Sequence, residues 1–288
     1  ALVESGLCFF VAGSCFAMGI AWHQPKSEDC KAEVLLKENA SVLPLSRMGA
    51  PEKLGRFLFL SGVLSGFAAA IKYPGLIYAI VPLGLTVMIV SLVRKRWFFS
   101  DVNPTSSFHW NQTGMRMLIF SFGVMLTFGP WAVRNLLDTG NPLYPLLWEW
   151  LGGISWGAEQ NYRWWQVHSP ENFQWLTLLA DIKRVTLDHV RLNPWLFGFS
   201  PLGLWHLRGK PVVRWLVLFP LLIFFGWWGM THRIDRFWYP LIPFVALLSG
   251  VGLMPLLRTP WRNLGMVLAV PFLVVTLVST TTSHAGWG

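Results

Sequence analysis

Charge is what this sequence has least of. Asp, Glu, Lys and Arg make up 13% of its 288 residues, against about 25% in an ordinary soluble domain. With 53% hydrophobic residues, that scarcity excludes a water-soluble globule, because one core of this size cannot hide so much apolar surface. Cysteine is scarce too. Cys8 and Cys15 lie in an apolar run and Cys30 stands alone in a polar stretch, so no disulfide framework is expected. There is no HExxH, no GxSxG and no phosphate-cradling glycine loop, which removes the zinc-peptidase, serine-hydrolase and P-loop classes. The seven His show no metal-ligand spacing. No metal ligand and no cofactor is assigned, although a divalent metal stays open. The first residues carry Glu4 where a secretory signal would have basic residues, and sequence is expected to be missing upstream of Ala1.

What is abundant is apolar and aromatic. There are 18 Trp and 21 Phe, though only 5 Tyr. Apolar runs fall at about 5–22, 57–71, 75–93, 115–133, 194–207, 213–231, 238–257 and 263–280. Several are shorter than the roughly 20 residues of a full crossing. Together they predict an all-α, polytopic transmembrane helix bundle of about eight spans in one domain. The 57–71 and 75–93 runs are separated by Lys72-Tyr73-Pro74-Gly75 and predict two helices with a break at a membrane surface. Gly62, Gly66 and Ala70 share a face of the helix before the break, which suits close helix packing.

The net charge of +9 does not indicate nucleic acid. The basic residues sit in short clusters between apolar runs, such as Arg94-Lys95-Arg96, where they orient a membrane protein. With 23–56, 94–116, 208–214 and 258–262 on one side, that side holds 15 of the 23 Lys and Arg. It is the expected cytoplasmic side. Glu4, the Lys72 break and the 134–193 loop then face outward. That loop carries Trp148, Trp150, Trp156, Trp164, Trp165 and Trp175 among charges and Asn. This mixture suits helices lying in the membrane interface, as an aromatic belt or as ring faces for a sugar.

Four outward features can carry chemistry, since charge at membrane depth is expensive. Glu4 opens the first helix, where the helix dipole also favours it. Lys72 ends the second, where it can snorkel to headgroups or meet a lipid phosphate as a compact charge. Gly129-Pro130-Trp131-Ala132-Val133-Arg134-Asn135, followed by Thr139-Gly140-Asn141-Pro142-Leu143-Tyr144-Pro145, is a turn of specified shape. His232-Arg233-Ile234-Asp235-Arg236-Phe237-Trp238-Tyr239-Pro240 puts two arginines before a helix on the side that disfavours them. Asp235 can compensate these charges, and so can a phosphate.

In order and sidedness these features resemble membrane glycosyltransferases of the GT-C fold, among them lipid A aminoarabinose transferases and protein O-mannosyltransferases. Lys72-Tyr73-Pro74-Gly75 resembles their lysine-bearing helix break. Pro130-Trp131-x-x-Arg134-Asn135 with Thr139 to Pro145 is similar to the turn of the bacterial branch. Arg236-Phe237-Trp238-Tyr239-Pro240 to Pro243 is similar to its helix start. Glu4 falls where these enzymes place an acidic residue, more often Asp. The resemblance implies transfer of a sugar from a polyprenyl-phosphate donor to an acceptor on the outer side of a bacterial inner membrane. Its partners would be the lipid-linked donor and membrane lipids, with no nucleic acid. It implies a catalytic carboxylate in an outer loop upstream of residue 1, so no catalytic residue is named. By resemblance the substrate-binding set is Glu4, Lys72, Tyr73, Arg134, Asn135, Arg233, Arg236 and Tyr239. Within it, Lys72, Arg233 and Arg236 would neutralise one lipid phosphate. Two rivals remain. An O-antigen polymerase or ligase would fit the long outer loop, and a transporter would want ionisable groups nearer mid-membrane and related broken helices.

Overall fold

The computed structural model describes residues 2–22, 50–93, 110–154, 156–170, 172–188, 195–210 and 212–258, with single positions at 263, 267 and 274. Every regular element among the described residues is helical. They are α1 (Leu2–Trp22), α2 (Ala50–Ile71), a π-helical turn (Leu76–Ile80) running into α3 (Val81–Val93), and α4 (Trp110–Thr139). Next come the short α5 (Trp148–Leu151), α6 (Ala158–His168), α7 (Trp175–Thr186), α8 (Trp195–His206), α9 (Val212–Met230) and α10 (Ile242–Arg258). Among the described residues, five stretches are long and apolar enough to cross a membrane: Val3–Trp22, Lys53–Ile71, Thr113–Thr139, Val213–Met230 and Asp235–Pro255. Leu76–Ser91 is a shorter apolar helix. The run expected at 194–207 forms the 12-residue α8, and the run at 263–280 lies outside the described residues apart from single positions. The chain divides into two compact units, residues 1–167 and 168–288.

In the first unit α1 to α4 alternate in direction. Lys72, just past α2, reaches Glu4 at the start of α1. At the opposite end Arg116, early in α4, donates to Ser91 near the end of α3 at 3.4 Å and lies 5.1 Å over the ring of Trp22. Glu4 and Lys72 therefore mark one end of the four helices, and Trp22, Ser91 and Arg116 the other. Glycine sets how close α2 and α4 come. A Cβ on Gly62 would sit 2.1 Å from the Phe120 carbonyl oxygen, and one on Gly123 would sit 2.5 Å from that of Phe59. Hydroxyls tie α2 to both α4 and α1. Thr127 Oγ1 donates to the Val63 carbonyl at 2.9 Å, and Ser61 Oγ to that of Ser14 on α1 at 2.9 Å. Small residues and buried hydroxyls are what packs helices when hydrocarbon removes the hydrophobic incentive.

The second unit repeats this device. A Cβ on Gly203 of α8 would lie 1.9 Å from the Leu248 oxygen of α10, and one on Gly252 would lie 2.3 Å from that of Phe199. Between α9 and α10 the contact is aromatic, Phe219 stacking on Phe244 with centroids 6.3 Å apart. Trp227 and Trp238 are fully buried at the α9–α10 turn.

Candidate functional site

Pro74 supplies no amide hydrogen, and at the Lys72-Tyr73 step the helix gives way. The backbone is re-satisfied in a tight turn, with the Gly75 amide donating to the Lys72 carbonyl at 2.8 Å and the Leu76 amide to that of Tyr73 at 2.9 Å. Gly75 is required here, because a Cβ would fall 2.3 Å from the Ala68 carbonyl carbon. The turn places Lys72 Nζ 2.8 Å from Glu4 Oε1. Both side chains are mostly withdrawn from solvent, at 23% and 13% exposure.

Tyr73 joins this break to the second motif. Its hydroxyl donates to the Tyr144 carbonyl and accepts from Asn135 Nδ2 at 3.0 Å. Asn135 in turn carries the Thr139 hydroxyl on its carbonyl at 2.7 Å. Asn141 is the centre of the turn and is fully buried. Its amide donates to the Leu146 and Gly152 carbonyls at 2.9 and 3.1 Å, and its Oδ1 accepts from the Leu143 amide at 2.9 Å. Gly140, at φ 78°, supplies the left-handed step that starts it. Four sequence-selected residues, Glu4, Lys72, Tyr73 and Asn135, thus gather at one end of the first unit. Arg134 does not join them. It is exposed and pairs along the helix with Asp138 at 3.5 Å.

No protein-family model, curated protein or solved structure matches this chain. What its charged ends can do rests on their geometry.

The arginines belong to the second unit, and each is described there. Arg233 sits in the left-handed region at φ 54°, an uncommon conformation for a residue with a Cβ. Its guanidinium is taken up on every edge. Nε donates to the Trp228 carbonyl at 3.0 Å, Nη2 to that of Asn172, and Nη1 lies 3.4 Å from Asp181 Oδ2. The rings of Trp228 and Phe173 flank it at 4.6 and 5.8 Å. Asp181 also accepts from Trp228 Nε1 at 3.1 Å and pairs with Arg184 at 3.0 Å. Asp235, a candidate partner for the two motif arginines, lies 3.6 Å from Arg184. Arg236 is exposed, 5.7 Å over the Phe237 ring. Tyr239 stands edge-on to Trp238 with centroids 5.3 Å apart.

Sequence reasoning passed over Asp181 and the central role of Asn141. A signal for the first was present: one carboxylate in an otherwise apolar helix turn, three residues before Arg184. Among the described residues, no three His, Cys, Asp or Glu gather as a metal-holding group.

Proposed function

We propose that this chain is an integral membrane glycosyltransferase of the GT-C kind, with about eight spans. It would transfer a sugar from a polyprenyl-phosphate donor to an acceptor at the outward face of a bacterial inner membrane. The observation that carries the reading is the paired Lys72 and Glu4 beside the Tyr73–Asn135 bridge, because it joins two motifs separated by some sixty residues. An ammonium at a helix end, partly withdrawn from water, is a compact cation suited to a lipid phosphate.

The reaction asks little of the protein at this point except charge placement. An acceptor hydroxyl oxygen bonds to the anomeric carbon as the bond from that carbon to the phosphate oxygen breaks. The hydroxyl proton passes to a general base, which remains unassigned. Lys72 neutralises the departing phosphate, whose charge grows in the transition state. Glu4 holds Lys72 in place until the donor arrives and then orients donor or acceptor. Asn135 and the buried Asn141 keep the turn rigid. Arg236 carries a second cation of the same kind in its own unit. Arg233, whose hydrogen-bonding edges are filled from within that unit, serves as its support.

The test is a titration of a polyprenyl-phosphate sugar onto the chain in nanodiscs. Each charge-assisted contact to phosphate contributes roughly 1.5–3 kcal/mol, so Lys72→Met and Arg236→Ala should each weaken binding by roughly tenfold to a hundredfold. Arg236→Lys should restore only part, lacking the bidentate fork. Arg134→Ala, whose pair is exposed, should leave binding unchanged. Equal affinity for wild type, Lys72→Met and Arg236→Ala would overturn the proposal.

A further inference from the structure

Helix α7 is built inside out. Its inward face holds Asp181 and Val185, both buried, with Arg184 turned to the same side. Its outward face presents Trp175, Leu176, Leu179 and Ile182, with Leu176 75% exposed. At 3.6 residues per turn these four fall on one side of the helix. A helix facing water would carry the opposite pattern, charge outside and leucine inside. Lys183 lies on the same outward face, 64% exposed, and pairs with Asp188 at 3.2 Å. A lysine there can stretch past apolar neighbours to a polar layer.

The height of α7 is set by its buried carboxylate. Asp181 Oδ2 accepts from Trp228 Nε1 at 3.1 Å, and Trp228 lies in the last turn of α9, which ends at Met230. The same carboxylate pairs with Arg233 in the turn that follows. Helix α9 is of span length, so its last turn marks where hydrocarbon gives way to headgroups. An outward apolar stripe fixed at that level meets lipid. The segment 175–188 holds two basic and two acidic side chains, Lys183 and Arg184 against Asp181 and Asp188, so the helix has no net charge of its own to demand anionic lipid.

We infer that α7 is a lipid-surface helix: its Trp175–Leu176–Leu179–Ile182 stripe seats in the headgroup boundary of a bilayer, and Asp181 latches it there to the α9–α10 turn. The anchoring is apolar, and the ion pairs fix position. This inference needs no donor and stands apart from the glycosyltransferase reading.

Nitroxide labels test it in the full chain, with Cys8, Cys15 and Cys30 replaced and single cysteines placed at 176, 179 and 182. In phosphatidylcholine liposomes, collision with oxygen should exceed collision with a water-soluble nickel chelate severalfold at all three positions. Adding anionic lipid should leave the ratio unchanged. Free access of the chelate would overturn the inference, since the face would then stand in water. Exclusion of both reagents would overturn it as well, since another protein surface would be covering the stripe. A lipid-like ratio that appears only with anionic lipid would contradict the apolar anchoring. In the Asp181→Asn background the three labels should become more mobile, and unchanged mobility would contradict the latch.

Discussion

Lys72 and Arg233 are both cations at the ends of apolar helices, and they are held in opposite ways. Lys72 meets a carboxylate from another helix, at a place bordered by a turn built from its own hydrogen bonds. Arg233 is locked between two rings and bonded to two carbonyls and a carboxylate, and its side chain is 10% exposed. An ammonium with flexible geometry can exchange one anion for another. A guanidinium with a filled fork cannot do so without taking its surroundings apart. Two residues that look alike in the sequence are therefore held differently, one by an ion pair between helix ends and one in a filled fork.

The sharpest way to break that contrast is to remove the anions. Asp181→Ala leaves Arg233 and Arg184 facing a withdrawn site without their shared partner, and breaking a buried pair costs about 3–5 kcal/mol. A large drop in the thermal midpoint of the detergent-solubilised protein is expected. Glu4→Gln keeps a hydrogen-bonding group beside Lys72 and should shift the midpoint much less. Equal losses would erase the distinction between the two ends.

A second substitution asks whether the units are packed by the same means. Gly203→Val drives side-chain atoms into the Leu248 carbonyl, since even a Cβ would lie 1.9 Å away, and overpacking of this kind costs about 1–3 kcal/mol. Gly229→Ala, where a Cβ meets nothing within 4 Å, should be neutral in the same thermal assay. A harmless Gly203→Val would mean that α8 and α10 do not depend on glycine contact.

The smallest effect sharpens the first unit. Tyr73→Phe removes the hydroxyl that links Asn135 to the Tyr144 carbonyl, a loss of about 1 kcal/mol. Donor affinity should fall with it, because the turn loses its tie to the lysine break. A change in stability with no change in affinity would separate the bridge from the site.

Much of this arrangement was legible in the sequence. Apolar runs located α1, α2, α4, α9 and α10, because a span must be continuous in residue type as well as in space. The Lys72-Tyr73-Pro74-Gly75 break was legible because proline and glycine act locally. Gly62 and Gly66 announced a packing face by their spacing. Gly203 and Gly252 did not, because neither has a second glycine four residues away on its own helix. Asp181 was missed for a related reason. Its role depends on Trp228 and Arg233, about fifty residues away, and no local pattern records that meeting. The sequence also put Arg233 and Arg236 in one class, whereas the fold fills the hydrogen-bonding edges of the first and exposes the second.

The central claim is that the Lys72 end of the first unit receives a lipid-linked phosphate. Photocrosslinking reads this directly, with a polyprenyl-phosphate sugar carrying a photoreactive group on its first isoprene unit. Labelled peptides should concentrate around residues 66–80 and 129–146, and Lys72→Met should abolish the enrichment while Arg134→Ala keeps it. Labelling spread over the lipid-facing helices, indistinguishable from that of an ordinary phospholipid probe, would contradict the claim.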